Sequence, residues 1–229
     1  MSHEKDHLVI AFQGMPGAYS NMACKAYFPN AKTLPCNSFE DMLNSTKNAE
    51  SDYSMVPVEN SLAGRVADIH HLIPDSGLFI VGEHFQRVNH QLLGLENSNL
   101  ENIESVKSHA QGLAQCRKFI SDHNLSPIQH IDTAGAAEEI SRLGDPKVAA
   151  IASNMASKIY NLKILKNNIE DAEHNTTRFL IMARKPNIIF SAKKNSRTPP
   201  GLPVCGPSFL ICHFGNAYSR TWTERCRAI

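Results

Sequence analysis

The chain has 229 residues, a formal net charge of +1, 42% hydrophobic residues and 20% charged residues. This length allows one large domain or two lobes, and the balanced charge gives no sign of nucleic-acid or membrane-surface binding. No apolar run reaches the roughly 18 residues of a membrane-spanning helix, so we expect no membrane segment. The polar N-terminus lacks the apolar core of a signal peptide, which predicts a cytoplasmic protein.

Segments typical of strands and helices alternate along the chain. The predicted strands cover residues 8–12, 33–36, 53–58, 78–81, 90–95, 106–108, 128–131, 148–151 and 180–183. The predicted helices cover residues 19–27, 38–48, 66–73, 111–123, 132–143 and 153–160. This alternation predicts an α/β protein with largely parallel sheets.

The end of the chain differs from the rest. Residues 187–229 contain clustered prolines and three of the six cysteines, and no periodic pattern of convincing length. We expect this segment to be poorly ordered or loosely attached. The other cysteines, Cys24, Cys36 and Cys116, are expected to be buried and reduced, because no C-x-x-C spacing is present. No metal site and no organic cofactor are expected.

Polar clusters lie next to the predicted strands. Four of them follow a strand, namely Gly14–Ser20, Glu59–Gly64, Ser108–Gln111 and Ala152–Asn154, and a fifth, Asn175–Phe179, precedes one. Ligands of open α/β sheets bind beyond the carboxyl ends of the strands, where helix N-termini offer free N–H groups to anions. The clusters therefore predict a site for a small anion.

Each cluster also has a purely structural interpretation. Asn60, Ser61, Ser108 and Ser153 are equally well suited to cap helices, and His109 to a structural hydrogen bond. Gly14 and Gly17 form no dinucleotide fingerprint, since G-x-G-x-x-G is absent. Glu59 directly follows the apolar Val56-Pro57-Val58, which predicts a buried, hydrogen-bonded carboxylate. Arg178, within a polar run at a strand edge, is predicted to be functional.

Taken together, these clusters resemble the prephenate dehydratase family over about residues 8–186. The resemblance is carried by Gly-Ala-Tyr-Ser at 17–20, Val-Pro-Val-Glu-Asn-Ser at 56–61 with Gly64 and Val66, Ser-His-Ala-Gln at 108–111, Thr-Ala-Gly-Ala-Ala at 133–137, Ala-Ala-Ile-Ala-Ser at 149–153 and Asn-x-Thr-Arg-Phe at 175–179. No single piece is specific, but their combination in this order is.

The resemblance implies a two-lobed α/β fold, similar to type II periplasmic binding proteins, with the active site in the cleft between the lobes. On that template, lobe one covers about residues 8–85 plus 177–186, and lobe two about 86–176. The implied reaction converts prephenate to phenylpyruvate for phenylalanine biosynthesis, with no metal or cofactor.

The same resemblance assigns site residues. Thr177 is the expected catalytic residue, which donates a hydrogen bond to the departing hydroxide. Substrate binding is expected from Tyr19, Ser20, Glu59, Asn60, Ser61, Ser108, His109, Gln111, Gln115, Ser153, Arg178 and Phe179. Arg178 is expected to contact a carboxylate, and Phe179 to line the cleft wall.

The resemblance stops after residue 195. Most family members continue into an ACT domain that binds phenylalanine, and residues 188–195 are similar to its first strand. We therefore expect residues 187–229 to be a truncated or frame-shifted remnant of that domain, or a disordered tail. Phenylalanine regulation is then expected to be lost, and homo-oligomerisation is left open.

Three other functions remain open on the sequence alone. The first is the same reaction on arogenate, the amino analogue of prephenate, which the motifs barely distinguish. The second is a non-catalytic protein that binds a small anion, which the fold permits. The third is an inactive remnant, if the altered end of the chain prevents stable folding.

Overall fold

The computed structural model describes residues 8–186, which form two β-sheets flanked by helices. The strands are β1 (Val9–Gln13), β2 (Lys32–Cys36), β3 (Tyr53–Asn60), β4 (Gly64–Arg65), β5 (Phe79–Arg87), β6 (Gln91–Gly94), β7 (Ser105–His109), β8 (Ser126–His130), β9 (Val148–Ala152), β10 (Lys163–Lys166) and β11 (Thr176–Ala183). The helices are α1 (Tyr19–Tyr27), α2 (Phe39–Lys47), α3 (Ala67–Leu72), α4 (Ala110–Ala114), α5 (Arg117–Asp122), α6 (Thr133–Leu143) and α7 (Asn154–Ile159), with a 3-10 turn at Leu100–Asn102. The predicted remnant at 187–229 lies outside the described residues.

The first sheet has the strand order β2-β1-β3-β11-β5, with β4 paired to β3, and the second has the order β10-β6-β9-β7-β8. The chain passes between the sheets twice, at residues 88–90 and 167–175. The structure confirms the two-lobed α/β fold, similar to type II periplasmic binding proteins. The lobe boundaries taken from the resemblance stay a prediction.

The expectation of largely parallel sheets is wrong. Only β1 with β2 and β3, and β7 with β8 and β9, pair in parallel among the described strands. β11 returns from the second lobe and enters the first sheet antiparallel to both β3 and β5. β6 is likewise antiparallel to β9 and β10. A strand that returns from another lobe has no sequence pattern that shows its direction.

The central strands of both sheets are buried on both faces. On β1, Ile10 and Phe12 pack in one core cluster, whereas Ala11 between them packs in another. On β9, Ala149 and Ile151 lie in one cluster, and Ala150 and Ala152 in a second. Because successive side chains of a strand point to opposite faces, continuous apolar runs of this kind are typical of doubly covered sheets.

Two of the predicted helices begin at a capping side chain. The Ser38 hydroxyl accepts a hydrogen bond from the Asp41 N–H at the start of α2, and the Asp132 carboxylate accepts one from the Gly135 N–H at the start of α6. Cys24, Cys36 and Cys116 are buried free thiols, as expected. No helix within residues 8–186 is long and apolar enough to cross a membrane.

The predicted helix over residues 111–123 is in fact two short helices, α4 and α5. Between them, Cys116 has φ −125° and ψ 25°, outside the helical region. The N–H of Asp171, in the second crossing, donates to the Gln115 carbonyl at 2.7 Å, and the Asp171 carboxylate accepts from the Lys118 N–H. The crossing segment thus replaces hydrogen bonds that a continuous helix would make, and it holds Gln115 at the break.

Candidate active site

Thr177 and Asn60 form the centre of the candidate site. They are partners across the antiparallel pair β11 and β3, and the Asn60 side-chain nitrogen donates to the Thr177 hydroxyl oxygen at 3.0 Å. No acceptor within the described residues lies in hydrogen-bond range of that hydroxyl, so its own hydrogen remains available to a ligand. Thr177 is only partly buried.

A β-bulge directs Asn60 towards Thr177. The pairing of β11 with β3 shifts between Arg178 and Phe179, so that Val58 has no partner residue on β11. Beyond the bulge, Asn60 faces the same side of the sheet as Thr177. Without the extra residue, Glu59 would occupy that side. Bulges re-aim side chains in this way next to functional sites.

The orientation of the Asn60 amide is fixed by the backbone. Its oxygen accepts from the N–H groups of Leu62 at 3.0 Å and Ala63 at 2.9 Å. Since a backbone N–H only donates, the atom facing these groups is the oxygen, and the nitrogen faces Thr177. Asn60 and Ser61 do not cap a helix, since the cluster Glu59–Gly64 forms the turn between β3 and β4 and the predicted helix begins only at Ala67.

A chain of hydrogen bonds continues from Asn60 through both crossings. Asn60 donates to the Asn175 oxygen at 2.7 Å, and the Asn175 nitrogen donates to the Gln115 side-chain oxygen at 2.8 Å. The same Gln115 oxygen lies 2.8 Å from Nε2 of His90. On the other side of the His90 ring, Nδ1 lies 2.8 Å from the Tyr19 hydroxyl at the start of α1. We call these side chains the crossing network: Tyr19, Asn60, His90, Gln115, Asn175 and Thr177.

The middle of the crossing network is enclosed. Asn175 is 1% exposed and His90 is 2% exposed. Burial lowers the pKa of His90 below its ordinary value, although the hydrogen bond to Gln115 and the charge of Glu170 oppose this shift. Burial also raises the pKa of Tyr19 well above its ordinary value. Both side chains are therefore neutral near pH 7.

Gln115 keeps one hydrogen-bonding group free. Its oxygen accepts from Asn175 and faces His90, whereas its nitrogen has no acceptor within the described residues. The crossing network thus offers two donors to a ligand, the Thr177 hydroxyl and the Gln115 amide nitrogen. No group of three or more His, Cys, Asp or Glu side chains within residues 8–186 is arranged to hold a metal ion.

Ser108 and Ser153 do not belong to the site, and the prediction that they contact a substrate is wrong. Ser108 is 0% exposed, and its hydroxyl donates to the Ile151 carbonyl at 2.7 Å. Ser153 is 1% exposed, caps α7 through the Ala156 N–H and donates to the Gly17 carbonyl at 2.5 Å. Enclosed hydroxyls whose hydrogens already bond to carbonyls have nothing left to offer a ligand.

Gly17 lies where the two lobes approach closely. Its φ is +89°, and a Cβ atom there would lie 2.9 Å from the Cα of Ala156. The Tyr160 hydroxyl donates to the carbonyl of the neighbouring Pro16 at 2.9 Å. Glycine is thus required at position 17 both for its backbone conformation and for this contact.

Arg178 and Glu59 lie on the other face of the sheet from Thr177. The expectation of a buried, hydrogen-bonded Glu59 is wrong, because the bulge leaves this carboxylate exposed. The Arg178 guanidinium pairs with Glu83 at 2.9 Å and lies 6.0 Å from the centre of the Phe85 ring. Contact of Arg178 or Glu59 with a substrate stays a prediction.

Phe179 lies in the core of the first lobe and does not line the cleft wall, as was expected. It is 1% exposed and packs in one cluster with Phe12, Met55 and Ile181. Since it shares a strand face with Thr177, it anchors β11 directly beyond that residue.

The remaining predicted residues lie near helix and strand ends. The Ser61 hydroxyl donates to the His174 carbonyl and accepts from the Thr176 N–H, joining the β3–β4 turn to the second crossing. His109 caps α4, where its Nδ1 accepts from the N–H of the exposed Gln111. Ser20 is the second residue of α1, whose N-terminus has no side-chain cap. Binding roles for these residues stay predictions.

Two members of the crossing network were missed from the sequence. Asn175 was quoted within the motif at 175–179 but given no role, and His90 was assigned only to the start of a strand. Their one signal is a polar residue at each crossing, and nothing in the sequence shows that the two crossings meet at Gln115.

The family model described as prephenate dehydratase matches residues 10–187. The chain belongs to the prephenate dehydratase family. A bifunctional N-acyl-homoserine lactone acylase/prephenate dehydratase of Komagataeibacter europaeus is 48% identical over 202 residues, which are 88% of this chain and 67% of that protein. Arogenate dehydratase/prephenate dehydratase 1 of Arabidopsis thaliana is 42% identical over 179 residues, covering 78% of this chain and 46% of the relative. The chain therefore spans about two thirds of the first relative and less than half of the second.

Two solved structures are also similar. One is described as a novel type of quorum quenching acylase, with 45% identity, a TM-score of 0.74, and coverage of 84% of this chain and 67% of that one. The other is a prephenate dehydratase from Arthrobacter aurescens in complex with L-Phe, with 26% identity and a TM-score of 0.72. That match covers 78% of this chain and 61% of the other.

Proposed function

We propose that this chain is a hydro-lyase that converts prephenate to phenylpyruvate, with loss of water and carbon dioxide, in phenylalanine biosynthesis. The observation that carries the proposal is the state of the Thr177 hydroxyl, which accepts from Asn60 and keeps its own hydrogen unused within residues 8–186. A hydroxyl that accepts a hydrogen bond is polarised into a better donor. Membership of the family supplies the reaction class.

The reaction needs help where hydroxide leaves the ring. As the C–O bond breaks, the bond from the ring to the carboxylate also breaks, and its electron pair completes the aromatic ring. The departing hydroxide takes up a proton and becomes water. Because a threonine hydroxyl is a weak acid, Thr177 acts by hydrogen-bond donation as charge develops on that oxygen. Assistance of this kind is worth roughly 10²–10⁴-fold in rate.

Substrate binding requires donors for two carboxylates. We infer that the Gln115 amide nitrogen and the uncapped N-terminus of α1, at Tyr19 and Ser20, supply such donors. His109 and Gln111, at the start of α4, are further binding residues in this proposal. Ser61 and Arg178 are not included, because the Ser61 hydroxyl already donates to the His174 carbonyl and Arg178 lies on the other face of the sheet from Thr177. A cytoplasmic location, independence of cofactors and insensitivity to phenylalanine stay predictions, and added phenylalanine in the assay tests the last of them.

The test is formation of phenylpyruvate from prephenate by the purified protein, beside two matched variants. Thr177→Val removes the hydroxyl and keeps the shape, and we expect it to lower kcat by about 10²–10³-fold. Thr176→Val makes the same change one residue earlier and is expected to retain activity. Equal activity in Thr177→Val and the wild type would overturn the proposal.

Arogenate is the alternative substrate, and the name of the Arabidopsis thaliana relative includes both activities. Parallel assays separate the two, since arogenate gives phenylalanine and prephenate gives phenylpyruvate. The non-catalytic alternative predicts that prephenate binds in a calorimeter without turnover. An inactive remnant predicts the absence of a cooperative thermal transition.

A further inference from the structure

We propose that His90 is a positioning residue for Thr177, acting as a neutral imidazole that carries its hydrogen on Nε2 and donates it to Gln115. The effect on rate rests on the proposed function. His90 is three hydrogen bonds away from Asn60, the residue that contacts Thr177, so it acts only through others.

The direction of each hydrogen bond follows from a fixed starting point. The backbone N–H groups of Leu62 and Ala63 orient the Asn60 oxygen, so the Asn60 nitrogen faces Asn175. Asn175 must then present its oxygen to Asn60 and its nitrogen to Gln115. The Gln115 atom that receives this hydrogen is therefore the carbonyl oxygen, which only accepts.

The same logic fixes the tautomer of His90. Nε2 lies 2.8 Å from the Gln115 oxygen, and because this oxygen cannot donate, Nε2 must carry a hydrogen. In the neutral ring, Nδ1 is then an acceptor, and the single hydrogen of the Tyr19 hydroxyl is shared between Nδ1, 2.8 Å away, and the Asn89 carbonyl oxygen, 2.9 Å away. The carboxylate of Glu170 contacts the backbone N–H of His90 at 2.8 Å and the side chain of Asn89, rather than the imidazole. Burial of the ring also favours the neutral form.

The crossing network joins the two crossings through the side-chain oxygen of Gln115, and His90 is one of its two partners. His90 itself lies in the first crossing, Asn175 lies in the second, and both bond to the same oxygen of Gln115. If the Nε2 donor is lost, the Gln115 amide loses one of the two donors that set its orientation. Asn175 and Asn60 then lose part of the restraint that aims the Asn60 nitrogen at Thr177.

Two variants of similar size test whether the rate depends on the hydrogen-bond donor at the Nε2 position or only on a polar side chain at residue 90. His90→Gln places an amide nitrogen near the position of Nε2, whereas His90→Asn reaches only to the position of Nδ1. We expect His90→Gln to keep kcat within about threefold of the wild type, and His90→Asn to lower kcat about tenfold, the scale of one buried hydrogen bond. KM should stay within about twofold of the wild type in His90→Gln and rise in His90→Asn, because the Gln115 nitrogen that we infer to bind a substrate carboxylate is then less firmly oriented. Equal kcat in the two variants, at matched melting temperatures, would overturn the proposal.

The tautomer is measured independently of turnover. Long-range ¹H–¹⁵N correlation spectra of the histidine rings at pH 7.5, with the His90 signals assigned by their loss in His90→Gln, distinguish the Nε2–H form from the other two. The Nε2–H form is expected, and an Nδ1–H ring or an imidazolium would overturn the proposal whatever the activity. A wild type inactive on both prephenate and arogenate would instead overturn the proposed function and the rate effect assigned to His90, and the spectra would still decide the tautomer.

Discussion

Hydroxyl side chains lie at strand ends both in the second lobe and beside the crossings, but their hydrogen bonds differ. Ser108 and Ser153, at strand ends of the second sheet, are enclosed and bonded to the carbonyls of Ile151 and Gly17. Thr177, in β11 just after the second crossing, receives a hydrogen bond from Asn60 and retains its own hydrogen. A hydroxyl is therefore not functional merely because it lies just before or just after a strand. The difference lies in whether the hydroxyl's hydrogen is already committed to the protein.

The largest effect should come from a change in the enclosed part of the crossing network. Asn175→Asp puts a carboxylate oxygen against the Gln115 oxygen in a site that is 1% exposed. We expect the free energy of unfolding to fall by about 2–4 kcal/mol, because one oxygen of the buried carboxylate still accepts from Asn60 but the other faces the Gln115 oxygen without a donor. Activity should fall more than tenfold. Urea denaturation and the phenylpyruvate assay measure both, and Asn99→Asp, at an exposed asparagine, is the matched control.

Ser153→Ala tests whether an enclosed hydroxyl of the second lobe stabilises the fold without affecting the reaction. Loss of the α7 cap and of the hydrogen bond to Gly17 should lower the free energy of unfolding by about 1–2 kcal/mol. The value of kcat at 25 °C should stay within about twofold of the wild type, since this hydroxyl has no part in the chemistry. A loss of kcat without loss of stability would contradict the separation drawn between strand ends and crossings.

A smaller effect on stability is expected when the pH is lowered. Burial lowers the pKa of both His84 and His90, so the unfolded chain binds protons at these groups more readily than the folded chain does. Their contribution to stability is therefore present above the ordinary histidine pKa of about 6.5 and is lost as the pH falls through the folded pKa values. Urea midpoints measured between pH 5 and 8 should fall on the acid side. In His90→Gln the fall should be shallower, and an unchanged slope would remove His90 as a cause.

The smallest effect is expected on the outer face of β11. Glu83→Gln removes the charge partner of Arg178, and both side chains are about half exposed. An exposed ion pair is worth less than about 1 kcal/mol, so the melting temperature should hardly change. A loss of more than about 2 kcal/mol in chemical denaturation would show that Arg178 has a structural role that its exposure does not suggest.

The sequence predicts the local structure well. Capping residues such as Ser38 and Asp132 mark helix starts because the side chain that caps lies within three residues of the N–H it binds. The motif order also identifies the family and Thr177 as the candidate catalytic residue. Each of these features depends on residues that are close together along the chain.

The remaining features depend on contacts between distant segments. The bulge that turns Asn60 towards Thr177 and leaves Glu59 exposed is set by the pairing of β3 with β11, more than 100 residues later. The break after α4 depends on Asp171, which takes the Gln115 carbonyl. His90 and Asn175 come together only because both crossings pass the end of α4. No local sequence pattern predicts contacts between segments that are so far apart along the chain.

The most direct measurement is a double-mutant cycle on kcat between Asn60→Ala and Thr177→Val. If Asn60 acts on the rate through the Thr177 hydroxyl, Asn60→Ala should lower kcat about tenfold or more in the wild type. In the Thr177→Val background it should then lower kcat by less than about twofold, because the hydroxyl that it polarises is already gone. Equal losses in both backgrounds would contradict the account, since Asn60 would then act on the reaction by a route that does not include Thr177.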